Sequence, residues 1–178
     1  MYILSQIFAV LSCGFYSATY LAKNKSRIVV LNTLNKACLA THFLLLGGFT
    51  AALAVVLSIL FLITMFIIEK NNKQKYSYIA STIFSILLIP ITILTWQSAY
   101  SLLSVLASLL IFTGTAIKNT FTVKLFYFVS TISNAIYMLI LHSYFGFATS
   151  LIIITIAIIG IIKEIKSRRS QQKSLANG

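Results

Sequence analysis

The chain has 178 residues, of which 59% are hydrophobic and only 9% are charged. A soluble domain carries about 25% charged residues, so this chain cannot cover its surface with polar groups in water. Its apolar residues form long blocks rather than an alternating pattern, which excludes a transmembrane β-barrel. The composition therefore predicts an all-α membrane protein.

The net charge of +12 does not indicate a nucleic-acid-binding protein. The basic residues lie in short clusters between apolar blocks, and only Glu69 and Glu164 oppose them. Basic loops of this kind face the anionic inner leaflet of a membrane, where each Lys or Arg contributes about 1 kcal/mol of attraction. We therefore expect the lipid bilayer, and no nucleic acid, to be the partner of the charged segments.

Seven apolar segments are long enough to cross the hydrocarbon core of a bilayer, which takes about 20 helical residues. In chain order they are Ile3–Ala22, Ile28–Leu46, Phe49–Ile68, Tyr76–Thr95, Ser98–Ile117, Val123–His142 and Phe145–Ile162. The sixth segment is rich in Ser and Thr and gives the weakest signal. A basic tail, residues 163–178, follows the last segment.

The distribution of basic residues predicts the orientation of the chain. Of the 14 Lys and Arg residues, 13 lie in alternate loops or in the tail, and the loops on the opposite side carry none. Basic loops stay in the cytoplasm, so we expect the N-terminus outside and the C-terminus inside. Removing any internal segment would place a basic cluster outside, which supports the count of seven.

The seven segments are predicted to form two three-helix bundles joined by a linker helix. Polar positions match at an interval of 98 residues, as in Leu34–Ala37 with Ile132–Ala135, and at 95 residues in a loop, as in Lys23 with Lys118. The repeats would comprise residues 3–68 and 98–162, with residues 76–95 as the linker. The linker keeps the two bundles parallel, so a pseudo-two-fold axis would follow the membrane normal and a central cleft would separate them.

Lys36 lies deep inside the second predicted span. Lys36 is nine residues past Arg27, which places it roughly 13 Å deep at 1.5 Å per residue. A central lysine costs about 2.5–3.5 kcal/mol on insertion scales, and the spans contain no acidic residue to neutralise it. We hypothesise that Lys36 lines a polar cavity and meets an anionic or hydroxyl-rich solute. The alternative is that its ammonium bonds hydroxyl or carbonyl oxygens within the bundle.

The second and sixth spans supply the other candidates for a solute-binding site. The full set is Lys36, Asn35, Asn32, Asn134, Ser130 and Tyr137. Asn32 and Lys36 are four residues apart and therefore share one face of a helix. At the 98-residue interval Asn134 is equivalent to Lys36, which predicts that the two approach each other from opposite bundles. His42 is expected to be a structural or interfacial histidine rather than a proton relay.

Small residues on two spans are predicted to allow close helix packing. Gly14 and Ala18 lie in the first span, and Ser101, Ser104 and Ser108 recur on one face of the fifth. Short side chains of this kind let the backbones of membrane helices approach each other.

No pattern in the sequence indicates an enzyme, a cofactor or a metal site. The chain lacks a Ser-His-Asp set, paired carboxylates and a phosphate-binding loop, so we do not expect an enzyme. Cys13 and Cys38 lie in apolar spans and are expected to be small core residues. Two functions stay open: a small-solute transporter, or a non-transporting sensor, assembly factor or effector that acts through protein or lipid contacts. The substrate is undefined, and a homo-oligomer is left open.

The run from His42 to Ala52, HFLLLGGFTAA, resembles the signature stretch of the YgjV-type bacterial inner membrane proteins. A similar turn follows in the second half, from Ala135 to Gly146. The resemblance covers nearly the whole chain and implies a location in the inner membrane. That family is itself similar to the SWEET and PQ-loop small-solute transporters, which implies the three-one-three plan. The proline–glutamine signature of the PQ-loop proteins is absent, so the resemblance implies no proline-hinged mechanism.

Overall fold

The computed structural model describes residues 2–71, 73, 75–96, 99–140 and 142–176, without the side chains of Tyr2 and residues 168–176. This part of the chain forms seven α-helices and no strand. The helices are α1 (Tyr2–Leu21), α2 (Lys25–Leu45), α3 (Phe49–Lys70), α4 (Lys75–Leu94), α5 (Ser101–Ala116), α6 (Thr120–Ile140) and α7 (Tyr144–Ala176). The all-helical fold predicted from the apolar blocks is confirmed.

Six of the helices in the described part of the chain are long and apolar enough to cross a membrane. The remaining helix, α5, is shorter. Its 16 residues cover about 24 Å at 1.5 Å per residue. The fifth span was predicted to begin at Ser98, which lies outside the described residues, so the seventh crossing stays a prediction. α7 is longer than predicted, because the helix continues past Ile162 through the basic tail to Ala176.

The outer surface of the helices is apolar. Large aliphatic side chains are exposed along them, among them Ile3 of α1, Leu60 of α3 and Ile93 of α4. In water such a surface would be strongly unfavourable, whereas in hydrocarbon it needs no cover. Buried Asn, Ser and Thr side chains lie between the helices instead. This is the distribution expected of a protein whose solvent is lipid.

The helices pack in two consecutive groups that meet at two places. α2 packs against α1 and α3, and α6 packs against α5 and α7. α7 also contacts α1, and α3 also contacts α5, so six helices form a closed ring. α4 lies on one side of this ring, against α3 and α5. The two places where the groups meet, α1 with α7 and α3 with α5, are therefore covered differently.

The helix boundaries recur at an interval of 95 residues. α2 begins at Lys25 and α6 begins 95 residues later at Thr120, and both helices are 21 residues long. The same interval separates the starts of α3 at Phe49 and α7 at Tyr144. The interval that the sequence shows in a loop thus applies to the starts of these two pairs of helices, whereas α1 and α5 begin 99 residues apart. The polar matches at 98 residues are displaced from it by three positions.

The turns that end α2 and α6 share one backbone geometry. After α2, the amide of Gly48 donates to the carbonyl five residues earlier at 2.9 Å, and Gly47 has a φ of 78°. After α6, the amide of Ser143 donates to the carbonyl five residues earlier at 3.0 Å, and His142 has a φ of 54°. Both are Schellman endings, in which a left-handed residue lets the chain cap the last carbonyls. These two turns also lie 95 residues apart.

Aromatic side chains join α3 to α5 under the cover of α4. The ring centroids of Phe61 and Phe112 are 4.7 Å apart, and those of Phe61 and Phe84 are 5.4 Å apart. Phe61 and Phe112 are fully buried. Aromatic pairs of this kind contribute about 0.5–1.5 kcal/mol each beyond the burial of their area. We call the contact of these three residues the aromatic seam.

Candidate functional site

A cavity of about 40 Å³ lies between α1, α2, α6 and α7. Its hydrogen-bonding wall includes Ser12, Tyr16, Asn35, Lys36, Thr131 and Asn134. One water molecule needs about 10–15 Å³ on this measure, so the cavity holds about three. We call it the central cavity. It lies on the side of the ring opposite the aromatic seam.

Lys36 reaches the central cavity from α2, and only 3% of its surface is exposed. Within the described part of the chain its ammonium has neither a hydrogen-bond acceptor nor a carboxylate partner. A buried ammonium is strongly unfavourable unless water, an amide oxygen or a solute stabilises it. The central cavity is the place where such a partner can reach Lys36.

Two amide side chains accompany Lys36 in the cavity wall. Asn134 comes from α6 and is half-buried. Asn35 accepts a hydrogen bond from the Ser12 hydroxyl at 2.6 Å and donates from Nδ2 to the side-chain oxygen of Asn32 at 3.1 Å. The bond from Ser12 ties α1 to α2, and the two bonds together fix the orientation of the Asn35 amide. The cavity thus combines one cation with amides that can both donate and accept.

Asn32 and Ser130, two of the predicted site residues, do not line the cavity. Asn32 is fully buried behind Asn35 and supports it through the 3.1 Å bond. Ser130 is turned towards α5, where its hydroxyl donates to the carbonyl of Ala107 at 2.9 Å. Both residues therefore brace helices that form the wall rather than face the cavity.

Tyr137 also lies outside the cavity wall. Its ring is buried against Phe43 and Tyr100, with centroid distances of 6.3 and 6.2 Å. Its hydroxyl has no hydrogen-bond partner within the described residues. Of the six predicted residues, the structure brings three together in the cavity wall: Lys36, Asn35 and Asn134.

His42 lines the same cavity, further than Lys36 from the basic loop that precedes α2, and is fully buried. Its Nδ1 lies 2.8 Å from the hydroxyl of Ser5 and 3.0 Å from the carbonyl oxygen of Ser5. This double contact joins α2 to α1, which gives the histidine a structural partner.

A layer of hydroxyl-bearing side chains closes the central cavity towards the basic loops. The Thr131 hydroxyl donates to the carbonyl of Tyr127 at 2.8 Å and lies 3.3 Å from the hydroxyl oxygens of both Tyr16 and Tyr20. The Tyr16 hydroxyl also donates to the Tyr127 carbonyl, at 3.0 Å. All four residues are buried. We call them the tyrosine layer.

Sequence reasoning missed the contribution of α1 to this site. Ser5, Ser12, Tyr16 and Tyr20 follow one another at intervals of seven, four and four residues, which is the spacing of a single helical face. That stripe could have identified α1 as a wall of the cavity. The signal is weak, because hydroxyl side chains are also common where membrane helices simply pack.

The Imp-YgjV family model, described as bacterial inner membrane protein, matches residues 3–168. The chain belongs to this family. The resemblance seen in the run from His42 to Ala52 is thus confirmed, and so is the location in the bacterial inner membrane. No curated protein and no solved structure matches the chain. The similarity of Imp-YgjV proteins to SWEET and PQ-loop transporters stays a prediction.

Proposed function

We propose that this Imp-YgjV protein binds a small polar solute in the central cavity and carries it across the inner membrane. The observation that supports the proposal is the buried side chain of Lys36, which lines the cavity together with Asn134 and whose ammonium has no partner in the described chain. A bundle that served only packing would bear the cost of this charge, about 2.5–3.5 kcal/mol, without compensation.

The chemistry of the cavity wall favours a solute with an anionic or hydroxyl oxygen. The ammonium of Lys36 can donate three hydrogen bonds, and the amides of Asn35 and Asn134 can both donate and accept. Hydrogen bonds to an ionised group are about twice as strong as neutral ones. Among the described residues that line the cavity there is no Asp or Glu, so the proposed activity is binding and passage rather than catalysis.

The size of the cavity requires the helices to move. A space for about three water molecules is smaller than a sugar or an amino acid. Beside the cavity, the side-chain hydrogen bond that joins α1 to α7 in the described chain is a weak one, 3.7 Å from Cys13 Sγ to the carbonyl of Thr149. Nearer the basic loops the same two helices pack closely, at Tyr20 and Gly160. We call the contact of α1 with α7 beside the cavity the polar seam. We propose that it widens when a solute enters, while the aromatic seam stays closed.

We further propose that α1–α3 and α5–α7 are two parallel three-helix units, with α4 as the linker and the N-terminus outside. The 95-residue recurrence of helix starts and the shared Schellman endings support this arrangement. So does the contact pattern, because exchanging each helix of one unit with its counterpart turns the α1–α7 contact into the α5–α3 contact. The central cavity would then lie between the two units, as in other transporters with parallel repeats.

Solute binding by purified protein tests the proposal directly. Sugars, amino acids, nucleosides and small carboxylates form the panel, and Lys36→Met removes the charge while keeping most of the stem. We expect the variant to bind the recognised solute about 10- to 150-fold more weakly, the worth of a hydrogen bond to a charged group. Lys70→Met, at the exposed end of α3, removes the same charge elsewhere and is the matched control.

Three results would count against the proposal. Unchanged binding by Lys36→Met would show that the ammonium does not meet the solute. Loss of monodisperse protein together with binding would assign Lys36 a packing role. Binding without uptake into proteoliposomes would favour a sensor over a transporter.

A further inference from the structure

A second, larger pocket opens at the end of the bundle that carries the basic loops. It has a volume of about 630 Å³ and lies between the ends of α1, α6 and α7. Its charged wall consists of Lys23, Lys124, Lys163 and Glu164. We call it the basic pocket. Tyr20 lines the side of the basic pocket that faces the central cavity. The tyrosine layer therefore separates the basic pocket from the central cavity.

The charges of the basic pocket do not cancel. Lys124 Nζ lies 2.7 Å from Glu164 Oε2, and this ion pair joins α6 to α7. Lys23 and Lys163 are exposed on the pocket wall, and neither has a hydrogen-bond or ion-pair partner in the described chain. The described wall therefore presents two positive charges in excess.

Apart from Ser167, the remaining wall of the basic pocket is formed by Tyr20, Leu21 and Gly160 and is closely packed. A Cβ added at Gly160 would lie 3.1 Å from both the Cβ and the carbonyl oxygen of Tyr20, so α1 and α7 touch here almost backbone to backbone. Leu21 beside them is exposed. The pocket thus has a cationic rim above an apolar wall, at the level where α1 ends and the apolar part of α7 gives way to its basic part.

We propose that the basic pocket binds a phosphate-bearing anion, either the headgroup of an anionic phospholipid or free inorganic phosphate. Lysine ammonium groups are common point-charge ligands of phosphate. Basic pockets between transmembrane helices bind anionic headgroups, and 630 Å³ is within the range of ligand sites. The bound phosphate bridges Lys23, in the loop after α1, and Lys163 of α7 at one end of the polar seam. The proposal does not rest on solute binding in the central cavity.

Thermal unfolding of the full chain in neutral detergent tests the proposal. The probes are a short-chain phosphatidylglycerol with the matching phosphatidylcholine as neutral lipid, and sodium phosphate with sodium chloride at equal ionic strength. We expect phosphatidylglycerol or phosphate, and neither control, to raise the Tm of the protein. A rise with the lipid alone identifies a headgroup site, and a rise with phosphate as well identifies a site for the free anion.

The variant Lys23→Gln/Lys163→Gln locates the site. We expect this double variant to bind the active probe about 30-fold more weakly, so that about 30-fold more probe is needed for the same rise in Tm. This factor is the combined effect of two lysines on attraction to an anionic lipid. Lys70→Gln/Lys75→Gln removes two exposed charges at the same end of the bundle and should keep the response. The proposal is overturned if neither phosphate probe raises the Tm of the unaltered protein. It is overturned equally if the two double variants lose the response to the same extent.

Discussion

The polar seam and the aromatic seam join the same two groups of helices with opposite chemistry. At the aromatic seam, Phe61, Phe84 and Phe112 fill the space between α3 and α5, and α4 covers them. At the polar seam, α1 and α7 meet beside a hydratable cavity, and the side-chain bond that crosses there between Cys13 and Thr149 is weak. This difference is the basis of our proposal that the polar seam, rather than the aromatic seam, widens.

The physical reason lies in what each seam would expose on opening. Separating α3 from α5 at the aromatic seam breaks several ring contacts, and no new interaction replaces them. Separating the polar seam lets water or a solute reach Lys36, Asn134 and the hydroxyls of α1, so part of the lost contact is replaced. The free energy of opening should therefore be lower at the polar seam. Locking that seam tests this difference directly, and three further experiments compare packing and hydrogen bonding at single residues in the two groups of helices.

The largest effect is expected from locking the polar seam. In a Cys38→Ser background, Thr149→Cys places a second thiol next to Cys13, and a short membrane-permeant dithiol-specific crosslinker joins α1 to α7. We expect solute uptake by proteoliposomes to stop and to return after reduction of a cleavable linker. The same reagent on protein that retains Thr149 is the control. Full uptake by the crosslinked protein would show that the polar seam does not open.

The second largest effect is expected at the aromatic seam. Phe112→Ala should lower the free energy of unfolding by about 3–5 kcal/mol, because a fully buried ring is lost and leaves a cavity. Leu39→Ala, in the wall of the central cavity, should cost clearly less, since Leu39 is only half-buried beside space that already exists. Unfolding by a denaturing detergent measures both. Equal losses of unfolding free energy would show that the two sides of the ring do not differ in how tightly they are packed.

A smaller effect is expected from two glycine substitutions. In Gly114→Ala on α5, the new Cβ would lie 2.4 Å from the Cβ of Phe126, so the helices must shift, at about 1–3 kcal/mol. In Gly14→Ala on α1, the new Cβ would meet nothing within 4 Å. That variant should be neutral, or more stable by up to about 1 kcal/mol from helix propensity. Thermal unfolding of the two variants side by side checks the contrast.

The smallest effect is expected from one bond that supports the cavity wall. Ser12→Ala removes the 2.6 Å hydrogen bond to Asn35 and should lower stability by about 0.5–1.5 kcal/mol. Solute affinity should fall several-fold, because the Asn35 amide loses its fixed orientation. Thr41→Ala, which removes an exposed bond within α2, is the control and should change neither quantity. A loss of stability without a loss of affinity would place Asn35 outside the solute site.

Much of the fold could be predicted from the sequence, because the signals are local. Long apolar blocks predict helices in lipid whatever their neighbours are, and an ammonium nine residues past the basic loop is deep in any span that begins there. The run from His42 to Ala52 was enough to indicate the family, which the family model confirms. The internal repeat stays a prediction: the short polar matches favour an interval of 98 residues, whereas α2 and α6 begin 95 residues apart.

The tertiary structure alone decided which side chains share the cavity. Lys36 and Asn134 both line it, and so does Thr131, which lies 95 residues after Lys36. Tyr137 has the same polar character as its neighbours but turns to Phe43. The close packing predicted at Gly14 was wrong, since that residue is exposed on the surface of α1. The rotation of each helix about its axis depends on how ridges and grooves of adjacent helices fit, which is a property of pairs of helices and not of either sequence by itself.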